Sequence, residues 1–168
     1  LRTFQGSVLS HRFSEEAELD GIGNMIALTP SDEINRLALE QFLPAFGRAH
    51  LFRVASKNTK KDDPHHAGRT LFAEDLDTEE LRDQLQNGAR IRATKLTEQF
   101  GPAEYSKQHQ DQARPLFLVT SDKKLQIVTT DSPAVLKVGL TVLGLVPRDL
   151  EQSTPTADID EPDIDKAE

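Results

Sequence analysis

NMIALTPSDEINRLALEQFLPAFGRAHLFRVAS, residues 24–56, spells strand, helix, strand with short connections. The opening NMIALT (24–29) is an apolar run between punctuation residues, the pattern of a buried strand. Ser31 is placed to cap a helix, with Asp32 and Glu33 in the first turn where the helix dipole favours negative charge. Ile34, Leu37, Ala38, Phe42 and Phe46 recur at helical spacing; Pro44 should disturb the last turn and Gly47 should stop it. AHLFRVAS (49–56) then reads as a second strand. Two strands joined by a helix predict a parallel crossover, so the first part of the chain is expected to be α/β.

Outward from this unit, residues 2–9 (RTFQGSVL) read as a short strand entering a turn at Gly6-Ser7, and 14–20 as an acidic helix ended by Gly21. Residues 57–68 (KNTKKDDPHHAG) read as a linker. A small α+β lobe is expected over 69–147. In it, RTLFA forms a strand, 77–87 a helix with Thr78 as cap, and 89–97 a half-buried strand. Residues 102–110 form a short helix, 114–130 a hairpin turning at Ser121-Asp122-Lys123, and 139–146 a last strand closed by Pro147.

The chain of 168 residues carries a net charge of −8, with 36% hydrophobic and 29% charged residues. That length suits one domain or two small lobes sharing a core. Residues 151–168 hold seven acids against Lys166, a net −6, and their Pro content and lack of core residues predict a disordered acidic tail over 148–168. The rest is close to neutral, which argues against nucleic acid as a partner, since phosphate binding needs a basic patch. The longest apolar run, 135–146, is interrupted by Lys137, Gly139 and Gly144, so no insertion into a membrane is expected of this stretch. There is no cysteine, which removes disulfides and thiolate metal sites. The chain opens on Leu1 and not Met, giving the expectation of a piece of a longer protein.

LRTFQGSVLS (1–10), LDGIGNMIALTPSDEINRLALEQF (19–42) and RAHLFRV (48–54) together resemble the second half of the RCK/KTN (TrkA-N) domain. That resemblance implies a Rossmann-like cytosolic fold that regulates potassium channels and cation transporters. GSVL stands where the family carries GDAT, so Ser7 replaces its acid; Gly21-Ile22, Ala27 to Thr29, Asp32 and Asn35 follow in the family's order. GRTLFAEDLDTEELRDQLQNGARIRATKLTEQF (68–100) and RPLFLVTSDKKLQIVTTDS (114–132) are similar to the cytosolic tails of bacterial NhaP-like sodium/proton antiporters. The resemblance implies a partial, degenerate Rossmann half over 1–56. It implies a homodimer, the parent's transmembrane transport domain as partner, and a place on the cytoplasmic side of the bacterial inner membrane.

By the same resemblance Gly6, Ser7, Thr29 and Asp32 are the residues that would border a nucleotide cleft. The phosphate-gripping glycine loop of such domains is missing here. No cofactor is therefore expected in this stretch, and a nucleotide only in the intact domain. The alternative is a nucleotide-binding regulatory module whose site a dimer partner completes.

Other constellations favour plain readings. Asp62-Asp63 and His65-His66 are adjacent pairs that do not share a face, as a zinc site requires. Glu74, Asp75, Asp77, Glu79 and Glu80 lack the alternate-ligand spacing of a calcium loop and read as a solvated helix start. Arg69, Arg90, Arg92 and Lys95 read as a charged outer strand face. No nucleophile elbow or triad spacing is present, and the chain is expected not to be an enzyme.

Overall fold

In the computed structural model of the protein the described residues are 3, 5–10, 19, 21–55, 68–73 and 75–148. The expected helix at 14–20, the linker at 57–68 and the acidic tail at 148–168 lie outside them, apart from Leu19, Gly68 and Arg148.

The fold is α/β, built on two sheets. The first is parallel, in the order β1 (Met25–Ala27), β2 (Leu51–Val54), β3 (Arg69–Leu71). Helix α1 (Asp32–Phe46) makes the crossover from β1 to β2. Its cap is Ser31, whose Oγ accepts from the Ile34 N–H at 3.3 Å. Pro44 lies in the last turn and the helix still runs to Phe46. Gly47, at φ 71°, donates its N–H to the Leu43 carbonyl at 2.9 Å and stops it. A 3-10 turn over Arg48–His50 leads into β2.

All four residues of β2 are buried, as expected of a strand covered on both faces. Alternation splits them. Leu51 packs with Ala27, Leu39 and Phe42 under α1, while Phe52 and Val54 join Leu71, Leu76, Leu116 and Leu145 on the opposite side. The first sheet is therefore a wall between two cores, and the second core is shared with the rest of the chain.

The second sheet is antiparallel, formed by β4 (Arg90–Lys95), β5 (Arg114–Val119), β6 (Leu125–Ile127) and β7 (Thr141–Val146), in the order β4-β7-β5-β6. The last strand inserts between β4 and β5, pairing Arg90 with Val146 on one side and Val119 with Thr141 on the other. The register slips between Pro115 and Phe117, where proline supplies no N–H to the ladder. Two short helices complete this lobe, α2 (Thr78–Gln86) and α3 (Pro102–Gln108). A third core lies on its far face: Leu96, Tyr105, Leu118, Val128 and Val142.

Backbone bonds stitch the two sheets together. Phe72 N–H reaches the Val128 carbonyl at 2.9 Å, and Thr130 N–H reaches the Thr70 carbonyl at 3.0 Å. Strand β3, expected to open the second lobe, thus completes the first sheet and touches the second.

Three local expectations are corrected. Residues 5–10 form no strand; only the turn is present. The cap of α2 is Asp77, whose carboxylate accepts from the Glu80 N–H at 2.9 Å, rather than Thr78 one position on. Strand β4 is at the sheet's edge and mostly exposed, with Ile91 53% accessible.

Candidate functional site

The carboxyl end of β1 runs into Thr29-Pro30-Ser31 and then into α1, so Thr29 and Asp32 come close together at the crossover. Asn35, on the first turns of α1 and only 2% exposed, folds back onto Thr29. Its Oδ1 accepts the Thr29 N–H at 3.0 Å and stands 2.6 Å from the Thr29 hydroxyl, while its amide donates to the Thr29 carbonyl at 2.9 Å. One amide thereby saturates the backbone groups that the end of β1 would otherwise leave unpaired.

Asp32 is held from the other side. Arg53 lies on the α1 face of β2, two residues after Leu51, with a side chain only 3% exposed; its guanidinium meets Asp32 Oδ1 at 2.7 Å. Asp32 therefore complements both the helix dipole and a buried cation. Such a cation is tolerated only with a partner, which makes Asp32 a structural anchor of the crossover.

Gly6 and Ser7 belong to a separate exposed turn. The Ser7 carbonyl accepts from the Ser10 N–H at 3.0 Å and from the Ser10 hydroxyl at 2.8 Å, and Ser7 Oγ accepts from the Leu9 N–H at 3.3 Å. Val8 packs onto the core under α1 and so attaches this turn to the first lobe. Of the four residues that would border a nucleotide cleft, Thr29 is bonded to Asn35 and Asp32 to Arg53, and Gly6 and Ser7 serve a turn of their own.

The remaining polar constellations are dispersed. Asp75 pairs with Arg114 at 2.6 Å, and Glu80 accepts from Gln84 at 2.6 Å. His50 Nδ1 lies 3.1 Å from Asn24 Oδ1. Glu74, His11, His65 and His66 lie outside the described residues. Arg69 does not join the β4 cations: it lies on β3, bonded to Asp131 and to the Thr129 hydroxyl. Among the described residues no three His, Asp or Glu side chains gather as a metal site would need.

Two features escaped sequence reasoning. His109, 1% exposed at the end of α3, lies edge-on to Tyr105 with both ring nitrogens unbonded. Burial holds its pKa below the usual 6.5, and pushes that of Tyr105 up to about 12. The second is a cleft of about 520 Å³ at the seam between β3 and the second sheet. Neither has a local motif: His109 is a lone histidine buried by the surrounding core, and the cleft joins Arg69 to residues 118–140. Comparison with models of known families, with curated proteins and with solved structures finds no match for this chain.

Proposed function

We propose that this chain is a non-catalytic regulatory module of a bacterial cation/proton antiporter, acting on the cytoplasmic side and pairing as a homodimer. The carrying observation is the parallel crossover, with Thr29, Asp32 and Asn35 in family order at its switch from strand to helix. The use of these side chains favours regulation over chemistry. Asn35 is committed to Thr29, and Asp32 to Arg53, so the crossover offers a rigid element rather than free acid–base groups. A rigid element shared between two cores can transmit a shift in packing to a transport domain, provided the two transport states prefer different packings.

No helix among the described residues is long and apolar enough to cross a membrane, so transport itself would fall to another part of the parent chain. The test is the reading frame upstream of Leu1, followed by exchange measurements on that full protein in everted vesicles. About ten or more apolar spans of ~20 residues are expected upstream. Removal of residues 1–168 is expected to change the pH or cation dependence of exchange while leaving exchange itself measurable. A short polar leader, or an unchanged exchange profile, overturns the reading.

A further inference from the structure

The cleft at the seam has walls of two kinds. Leu118 on β5 and Val128 just after β6 give it an apolar floor, while Gln126, Ser132, Lys137 and Arg69 bring polar groups to its rim. Its volume of about 520 Å³ lies in the range that holds small organic molecules.

The charges at the rim do not balance. The Arg69 guanidinium is matched: Nε and Nη2 reach the Asp131 carboxylate at 3.2 and 3.1 Å, and Nη2 also donates to Thr129 Oγ1 at 2.8 Å. Asp131 is held below the ordinary carboxyl range, first by that hydrogen bond from Arg69, so the pair is neutral as a unit at pH 7. Lys137 has no such partner among the described residues, and the Gln126 amide and Ser132 hydroxyl make no side-chain hydrogen bond there. The cleft thus holds one uncompensated positive charge, two idle donors and an apolar floor.

We propose that this cleft binds a small organic monoanion, a carboxylate carried on an apolar body. The carboxylate would sit against the Lys137 ammonium and accept from Gln126 and Ser132, with its hydrocarbon on Leu118 and Val128. A single spare cation matches a single negative charge. A compact dianion would leave one charge unmet and the apolar floor unused. The ligand would touch Arg69 from the first sheet as well as the second sheet, and so clamp the seam. The site does not depend on the transporter reading; within that reading, its occupancy would be the regulatory input.

The experiment is an amide ¹H–¹⁵N titration of the full chain with sodium hexanoate, run beside hexylammonium chloride and inorganic phosphate. Hexanoate is expected to give saturable shifts confined to the residues around the cleft, 69, 118, 126–128 and 132–140, with hexylammonium and phosphate giving none there. Lys137→Glu is expected to weaken hexanoate by about fivefold or more, with Lys137→Arg retaining it. Lys137 is exposed, so both variants should keep the wild-type spectrum elsewhere; should Lys137→Glu lose it, Lys137→Gln carries the same comparison. Absence of saturable shifts, shifts mapping elsewhere, or an equal response to hexylammonium overturns the proposal. An equal response to phosphate overturns the need for an apolar body, and with it the ligand class.

Discussion

The two sheets handle their polar side chains in opposite ways. Around the parallel sheet, Asn35 on α1 and Arg53 on β2 are 2% and 3% exposed, and both are engaged at the crossover. In the antiparallel sheet and the loop beside it, Gln126, Ser132 and Lys137 are exposed and idle around a cleft. Parallel strands covered on both faces must satisfy every polar group internally, whereas an edge strand and the loop after it can leave some to solvent or to a ligand. The crossover is a lock, with Thr29 held by Asn35 and Asp32 held by Arg53. The open side of the second lobe is where a ligand finds unspent groups.

The largest effect should come from breaking the lock. Asp32→Ala leaves the Arg53 guanidinium buried without its counter-charge, a change expected to cost about 3 kcal/mol or more. Chemical denaturation followed by circular dichroism measures it. A loss below ~1 kcal/mol would mean that Arg53 escapes to water, and that the crossover is softer than its geometry implies.

Next comes the packing of the second lobe. A Cβ added at Gly144 would lie 2.6 Å from the Tyr105 hydroxyl oxygen, in the middle of β7. Gly144→Ala should destabilise by roughly 1–3 kcal/mol. Removing the obstructing oxygen with Tyr105→Phe should recover much of that in the double variant, a coupling that a thermodynamic cycle isolates. Additive losses would show that the clash is absorbed by backbone movement instead.

These two sites also show what a sequence can and cannot disclose. The strand–helix–strand unit was readable because its signals are local: the apolar run at 25–27, the Ser31 cap and the Gly47 stop lie within one stretch. Burial of Arg53 was not readable, since a cation inside LFRV looks the same whether it faces water or Asp32. Nor was the insertion of β7 between β4 and β5, because strand order depends on pairings some 50 residues apart, such as Arg90 with Val146. Missing that order made β4 look half-buried and hid Tyr105 beneath Gly144. The Asp77 cap was misplaced by one residue because Asp and Thr are both good caps and only the backbone decides between them. The cleft was hidden for the same reason as β7: Arg69 and Lys137 meet only after the sheets assemble.

The third test uses acid. His109 is buried neutral, with its folded pKa below the ordinary 6.5. The unfolded chain therefore binds more protons than the folded one once pH drops below about 6.5, and stability falls in that direction. Above that value the contribution is fully present. For one proton the slope is at most about 1.4 kcal/mol per pH unit. His109→Phe preserves a ring against Tyr105 and should flatten the decline in melting temperature between pH 7.5 and 5.5. An unchanged decline in that variant would assign the acid sensitivity to other groups.

The smallest effect closes the comparison, because it concerns the exposed counterpart of Arg53–Asp32, the ion pair at the seam between the sheets. Arg69 and Asp131 are 30% and 63% exposed, so solvent screens their attraction, and Asp131→Ala should cost no more than about 1 kcal/mol, shrinking as salt rises. The carboxyl of Asp131 is held below its ordinary 3.8, so any stability it adds is present at neutral pH and lost only as pH falls below that value. This window is well separated from that of His109. The substitution also strips the cleft of the charge that neutralises Arg69. If the cleft is an anion site, the variant should bind hexanoate more tightly than the parent while being slightly less stable, a pairing of effects that a purely structural ion pair would not produce.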